Sequence, residues 1–255
     1  MREIRSKDNK IFKECQKLSQ KKYRDKEGLY LIEGENLIAE VPEEDLVYVF
    51  FREGLEQPIF NLRDQYIVAA PLFDKLAQTE TSQGILAVVR KPGLTAEELT
   101  GRIQETDNVV VMDRLQDPGN IGTIIRTAEG AGYKAVITVK GTGDVFSPKT
   151  IRAAAGSVFR IPIVQVENNS ALRALMDKMG KKLVVTGFHT DKYYYDEDLS
   201  RDIALVIGNE GNGVSDELME MADVIVKIPM DGQLESLNAS VAAGILMYEA
   251  KRKRD

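Results

Sequence analysis

Three segments of the chain gather polar residues and glycines in patterns that an ordinary surface loop does not need. The first is Asp113-Arg114-Leu115-Gln116-Asp117-Pro118-Gly119-Asn120, which runs on through Ile121 to Arg126 and Thr127. The second is Ile207-Gly208-Asn209-Glu210-Gly211-Asn212-Gly213-Val214-Ser215, and the third spans 228–242, IPMDGQLESLNASVA. Glycines at 208, 211 and 213 permit left-handed conformations and close backbone approach, and Glu210 sets a carboxylate among them. That combination suits a loop that lines a ligand. Taken singly, the polar residues stay open to plainer readings. Asn120 sits where a helix N-cap belongs, Ser236 and Asn238 can cap the helix after them, and Arg126 reads equally as a surface arginine. Ser215 is placed to cap a helix whose apolar side carries Leu218. Dinucleotide and P-loop chemistry do not fit, because no G-x-G-x-x-G follows a first strand and no Gly-Lys-Ser/Thr occurs; GTGDVF (141–146) lacks the last glycine.

Other chemistries are excluded by count. The chain has one histidine, His189, and one cysteine, Cys15. A multi-histidine or multi-cysteine metal site and an internal disulfide framework are therefore impossible. A Ser-His-Asp mechanism would depend on His189, which lies in GFHTDKYYYD without a paired motif and reads as a loop or strand-end residue.

The elements that must position the three segments alternate along the chain. Strand-like runs recur at 108–113, 134–140, 162–166, 182–188, 203–209 and 224–229. Helical patterns fall at 121–131, 148–155, 170–179, 215–221 and 237–251. In the first of these Ile121, Ile124, Ile125 and Ala128 make one apolar stripe, with Thr123, Arg126, Thr127 and Gly130 opposite. Continuous apolar strands alternating with helices predict a parallel sheet covered on both faces, with ligands beyond the carboxyl ends of its strands. Ahead of it, 9–24 reads as a helix and 28–34 as a strand, with a helix following in ENLIAEV. Further strands are expected at 45–51, 65–70 and 84–90, and a helix at 71–78. This makes a smaller α/β unit over 1–90. The polar, Pro-Gly-initiated stretch 91–107 reads as a linker with a short helical piece. The helix from 237 is rich in small residues (Ala239, Ser240, Ala242, Ala243, Gly244), which let backbones pack closely within the subunit or against a partner.

The 255 residues, 43% hydrophobic and 29% charged, are enough for one large or two smaller domains. No run approaches the ~18–20 apolar residues of a membrane span, and the first residues lack a secretory apolar region. A cytoplasmic location is expected. Net charge is −6, yet it is unevenly spread. Residues 1–26 carry ten Lys/Arg against four acids, and the last five residues add four more bases against one acid. Clustered cations attract phosphates locally whatever the total, since salt screens beyond roughly 8–10 Å; a solvated helix face at each end is the plainer reading.

Taken together, DPGNIGTIIRTAEGAG (117–132), LVIGNEGNGVS (205–215) and IPMDGQLESLNASVAAG (228–244) resemble motifs 1, 2 and 3 of the SpoU/TrmH branch of the SPOUT methyltransferases, in the family's order and spacing. FSPKTIRAAAGSVFRIPI (146–163) fits the stretch between them, with Ala154 where relatives often carry a polar residue. The resemblance covers 108–255. Residues 1–90, through KKYRDKEGLYLIEGENLIAE and QTETSQGILAVV, are similar to the RNA substrate-binding domain related to ribosomal proteins L30e and L7Ae.

The resemblance implies an α/β catalytic domain with a trefoil knot that holds S-adenosylmethionine, no metal, and transfer of a methyl group to a ribose 2′-OH. It implies a homodimer and an RNA substrate, ribosomal RNA favoured over transfer RNA. It points to Asn120, Arg126, Glu210, Ser236 and Asn238 for catalysis. For the cofactor it points to Thr186, Gly187, Ile207, Gly208, Gly211, Ile228, Met230 and Leu237. Rival readings are a nucleotide-cofactor oxidoreductase, a catalytically silent RNA-binding protein on the same scaffold, and methylation of a base.

Overall fold

The computed structural model describes residues 2–55, 64–79, 81–187, 190–231 and 236–254; His189 and the 232–235 part of the third motif lie outside the described residues. The chain folds as two compact units, Met1–Pro92 with Phe146–Ile151, and Gly93–Val145 with Arg152–Asp255.

The first unit runs β1 (Arg2–Ile4), α1 (Lys10–Lys17), α2 (Lys21–Glu27), β2 (Leu29–Glu33), α3 (Glu35–Ala39), β3 (Leu46–Arg52), β4 (Gln65–Val68), α4 (Ala70–Phe73) and β5 (Ile85–Arg90). Its sheet has the order β1-β4-β3-β5-β2. β1, β4 and β3 are parallel, and β5 is antiparallel to both β3 and β2. Phe12, Cys15 and Leu18 pack with Phe50, Tyr66, Phe73 and Leu86 in one core.

Two expectations are corrected in this unit. The helix read over 9–24 is two helices, because the chain turns extended at Gln20. The buried Arg24 guanidinium donates to the carbonyls of Leu18 and Ser19 at 2.7 and 2.8 Å, satisfying acceptors freed where α1 stops. The helix read over 71–78 closes after Phe73. Within the basic stretch Arg24 is structural, and Arg5, Lys13 and Lys21 pair with Glu53, Asp8 and Asp25. Those pairs are exposed and worth little, so they compete poorly with phosphate for the same cations.

The second unit opens with α5 (Ala96–Thr100), inside the stretch read as a linker. Thr95 and Glu98 form a reciprocal capping box, and Leu99 is fully buried in this unit's core. The segment is thus packed structure. Then follow β6 (Val109–Met112), α6 (Pro118–Gly130), β7 (Ala135–Val139), α7 (Pro148–Ala154, counted to Ile151 with the first unit), β8 (Ile163–Val166), α8 (Asn169–Lys178), β9 (Lys182–Thr186), β10 (Ile203–Ile207), α9 (Asp216–Glu220), β11 (Val224–Val226) and α10 (Ala239–Arg254).

All six strands are parallel, in the order β11-β9-β10-β6-β7-β8. Val109, Val110, Val111 and Met112 are completely buried, as are Ala204, Leu205 and Val206 on β10. Burial on both faces explains why these strands read as unbroken apolar runs. From β6 the chain winds through β7 and β8 to one edge, then returns to build β9, β10 and β11 on the other side. The loops after β6 and β10 therefore diverge at a topological switch point, where open α/β sheets bind ligands.

Candidate active site

The loop after β6 is built around two aspartates. Asp117 caps α6, its carboxylate accepting from the Asn120 amide nitrogen at 2.9 Å, with Pro118 in the first turn. The expectation that Asn120 is the cap is corrected: Asn120 lies one turn inside the helix, 8% exposed, and its side chain is free for another task. The sequence held the signal, since an aspartate before proline and three residues before the amide it caps is a helix-start signature. Asp113, 1% exposed, accepts from the Ser215 backbone N–H at 2.8 Å through Oδ2. Ser215 precedes α9 as expected, but its hydroxyl makes no cap bond; it accepts instead from Asn169 at 3.3 Å.

The loop after β10 folds back on itself. Asn209 and Gly213 exchange both backbone hydrogen bonds, at 2.8 and 2.9 Å, and the Asn209 side-chain oxygen accepts from the N–H groups of Gly211 and Asn212. A Cβ on Gly208 would stand 2.2 Å from the backbone of Gly213 and Val214, so no side chain fits there. The turn projects Glu210 at the loop after β6. Its carboxylate accepts from the N–H groups of Gln116 and Asp117 at 3.1 and 3.0 Å, and from Asn120 Nδ2 at 3.1 Å. Partial burial pushes the Glu210 carboxyl upward, but the bonds from Asn120, Gln116 and Asp117 outweigh it and hold the group below its ordinary range.

The third motif joins through Asn238. Its Nδ2 donates to Asn120 Oδ1 at 2.9 Å. Its own oxygen caps α10, accepting from the N–H groups of Ser240 and Val241 at 2.9 and 3.3 Å and from the Ser240 hydroxyl at 2.7 Å. One line of hydrogen bonds thus joins all three motifs. α10 packs on α6, with Gly244 near the Thr127 methyl. Ala154, the departure in the intervening stretch, is fully buried on α7, so it contributes no exposed lining.

The structure joins Asn120, Glu210 and Asn238 by hydrogen bonds, and two candidates lie outside that line. Arg126 is exposed on α6, six residues beyond Asn120, with no hydrogen bond or ion pair to a described residue. At about 1.5 Å per residue it stands roughly 9 Å along the helix. Ser236 is exposed, just ahead of Asn238.

Of the cofactor candidates, Thr186 and Ile207 end β9 and β10, Gly187, Gly208 and Gly211 follow them, and Ile228, Met230 and Leu237 come after β11 in the chain. Thr186 closes β9, and Gly187 donates to Val226 at 3.0 Å. Gly187 is also crowded: a Cβ would meet Met219 at 2.6 Å and Ile225 at 3.1 Å. Ile207 and Gly208 are buried, Ile228, Met230 and Leu237 half-buried, and Gly211 exposed. Backbone that leaves no room for a side chain at Gly208 and little at Gly187, with half-buried apolar residues among the candidates, is of the composition that suits an adenine held by main-chain groups. Among the described residues no three His, Cys, Asp or Glu side chains gather as a metal site.

Sequence reasoning missed the parts that hold the loops together: Asp113, Gln116, Asp117, Asn209 and Thr142. Gln116 and Asn209 both donate to the Arg114 carbonyl at 2.9 Å, and the Thr142 hydroxyl donates into the carbonyls of Met112 and Val139.

Comparison with known proteins agrees with this geometry. Residues 107–248 match the SpoU rRNA Methylase family and residues 9–87 the MRM3-like substrate binding domain. The chain is 38% identical to the 23S rRNA (guanosine(2553)-2′-O)-methyltransferase RlmP of Bacillus subtilis, over 98% of this chain and all of that protein. It is 34% identical to the 23S rRNA (guanosine-2′-O-)-methyltransferase RlmB of Pseudomonas putida, over 68% of this chain and 71% of that one. The crystal structure of the SpoU methyltransferase AviRb from Streptomyces viridochromogenes with AdoMet superposes with a TM-score of 0.88 at 30% identity, covering 96% of this chain and 98% of that one. An AdoMet-bound rRNA methyltransferase from Sinorhizobium meliloti gives 0.85 at 30% identity, covering 98% and 97%. The matched motifs, their hydrogen-bonded convergence at the switch point and these likenesses over nearly the whole chain make this protein a member of the SpoU rRNA methylase family.

Proposed function

We propose that the chain transfers the methyl group of S-adenosylmethionine to a ribose 2′-OH of RNA, with 23S ribosomal RNA as the substrate. The observation that carries this is the Glu210, Asn120 and Asn238 line, which locks the three family motifs at one sheet end. Full-length likeness to RlmP, together with the matched substrate-binding domain, supports ribosomal over transfer RNA. In this reading residues 1–90 bind RNA and 108–255 catalyse, with α5 packed into the core of the catalytic unit. The fold around Gly208 is the trefoil-knotted pocket of the family, the active form is a homodimer, and the enzyme works in the cytoplasm.

Bound S-adenosylmethionine supplies a sulfonium-activated methyl. The protein's tasks are then positioning and proton removal, because the 2′-OH must lose its proton as it attacks and charge falls at both centres. Thr186, Gly187, Ile207, Gly208, Gly211, Ile228, Met230 and Leu237 would hold the cofactor. Asn120 and Asn238 fix the loop geometry with Glu210, and Ser236 takes a substrate phosphate. A guanidinium ordinarily has a pKa above about 12, so Arg126 contacts the 2′-OH or an adjacent phosphate. Its action as the base requires an environment that bound substrate would have to create.

The test is nucleoside mass spectrometry after incubation of the protein with isotopically labelled S-adenosylmethionine and fractionated RNA from cells that lack it. Label in a 2′-O-methylnucleoside of ribosomal RNA is the expected result. Label on a base, or in transfer RNA alone, moves the enzyme to another branch or substrate. No label despite cofactor binding leaves the silent RNA-binding reading.

A further inference from the structure

Arg114 holds a conformation that its side chain makes costly. Its φ is +56°, the left-handed region that suits glycine and penalises residues with a Cβ. It sits directly after β6, between buried Asp113 and the loop that receives Glu210. Its carbonyl accepts from both Gln116 and Asn209, so the turn is fixed by two motifs at once. A glycine would meet the same backbone requirement without strain, yet the chain carries its longest cation there. Strained residues of this kind mark functional positions.

The side chain is also given a track. Gly141 has no Cβ, and one built there would stand 3.4 Å from Arg114 Cγ and 3.8 Å from Cδ; the arginine stem therefore crosses bare backbone at the end of β7. The head is only loosely engaged. Nε lies 3.4 Å from Asp113 Oδ1, and the side chain is 48% exposed. Asp113 Oδ1 has no hydrogen bond, so the guanidinium keeps its donors for something else.

Charge says what that is. The loops 113–117 and 207–215 contain three acids, Asp113, Asp117 and Glu210, and Arg114 is their one cation. A ribose 2′-OH is flanked by a 3′-phosphodiester, which such a site repels unless a cation meets it. The planar guanidinium fork matches phosphate oxygens. We propose that Arg114 is a substrate-binding residue that contacts a backbone phosphate of the RNA beside the methylated ribose. The proposal rests on the RNA methyltransferase reading above.

The experiment measures affinity of the full chain for an unmodified 23S rRNA transcript across a salt series, with Arg114→Gly and Arg114→Lys beside wild type. Thermal unfolding and calorimetric S-adenosylmethionine binding are followed in parallel. Arg114→Gly should melt at the same or a higher temperature and bind S-adenosylmethionine as wild type does. Its transcript affinity should fall on the order of tenfold, as a lost charge-assisted contact implies. The slope of log affinity on log salt should shrink by about 0.7–0.9, one phosphate's worth. Arg114→Lys should restore the slope and only part of the affinity. An Arg114→Gly chain with a lower melting temperature and an unchanged salt slope overturns the proposal, for Arg114 is then a counter-charge to Asp113. A wild-type chain that binds no transcript removes the RNA reading itself.

Discussion

Asn120 donates its side-chain N–H to Glu210 across 3.1 Å, joining residues ninety positions apart in the chain. The direction of this bond fixes everything after it. An ionised carboxylate only accepts and a helix N-terminus only donates, so Asn120 must turn Nδ2 to Glu210 and Oδ1 to Asn238. Asn238 must in turn present Nδ2 to Asn120 and its oxygen to the first turn of α10. Both amide orientations follow from the two ends of the line. Glu210→Gln breaks this logic, because one oxygen becomes a donor facing N–H groups. The variant should lose about 1.5–3 kcal/mol of stability, the range for hydrogen bonds to a charged group, and at least tenfold in methyl transfer while still binding RNA. Thermal unfolding and labelled-methyl turnover measure the two; a fully active Glu210→Gln chain would show that the line does not shape the site.

The same carboxylate makes a pH prediction. Glu210 is held below its ordinary value of 4.5 in the folded chain, so the folded state favours the charged form. Its stabilising contribution is complete above the unfolded value and is lost as pH falls through the folded one. Wild type should therefore lose stability below about pH 4.5 more steeply than Glu210→Gln, and the two should run parallel from pH 6 to 9. Chemical denaturation at a series of pH values gives the comparison. Parallel curves at acid pH would remove the assigned role of these hydrogen bonds.

Asn238 does two jobs that substitution can separate. Asn238→Ala loses the α10 cap and the bond to Asn120, at a cost of about 1–2 kcal/mol, the upper range for a lost cap. Asn238→Asp keeps the cap and sets a negative charge at a helix N-terminus, which is favourable, but it aims an acceptor at Asn120 Oδ1. It should melt closer to wild type than Asn238→Ala does and yet lose turnover to a similar degree. If activity instead tracks melting temperature across both variants, Asn238 acts only as a cap.

Much of this arrangement was legible in the sequence. The six strands of the second unit stand out because burial on both faces demands unbroken apolar runs, as in Val109 to Met112. The motif residues are visible because glycine at 208 and a polar cluster before a helix are unusual. What the sequence hid is pairing. Nothing in the spacing says that Glu210 reaches Gln116 and Asp117, or that Asp113 ends up buried against Ser215, since those contacts exist only once β10 lies beside β6. The break between α1 and α2 was hidden for the same reason: Arg24 reads as one more basic residue until its guanidinium is found on the carbonyls of Leu18 and Ser19. Residues 91–107 look like a linker because their apolar residues are few and spaced among polar ones, yet Leu99, with Leu94, Ala96 and Ile103 packed around the same core, is enough to dock a short capped helix.

Two glycines of one loop should respond differently. A Cβ at Gly208 meets backbone atoms at 2.2 Å, which cannot move without opening the turn, whereas Gly213 (φ +69°) has nothing within 4 Å of a Cβ. Gly208→Ala should cost about 3 kcal/mol or more, the upper end for forcing atoms into a packed site, and abolish S-adenosylmethionine binding. Gly213→Ala should cost about 1–2 kcal/mol for its left-handed backbone and keep measurable binding. Calorimetric titration with S-adenosylmethionine decides it: retained binding in Gly208→Ala removes that backbone from the cofactor wall.

Arg126 offers the sharpest separation of stability from activity. It is exposed and bonded to no described residue, so Arg126→Ala and Arg126→Lys should change stability by less than about 0.5 kcal/mol. If the guanidinium meets the 2′-OH, both should lower turnover by roughly 10²–10⁴, the range for a group that assists proton transfer, with S-adenosylmethionine affinity unchanged. If it clamps a phosphate, the loss falls mainly on KM for RNA, and lysine recovers part of it because charge survives while the bidentate fork does not. Full turnover in Arg126→Lys would exclude both the base role and bidentate recognition. Steady-state kinetics on ribosomal RNA with separate kcat and KM values distinguishes these outcomes, because a contact made only in the transition state lowers kcat and a uniform binding contact does not.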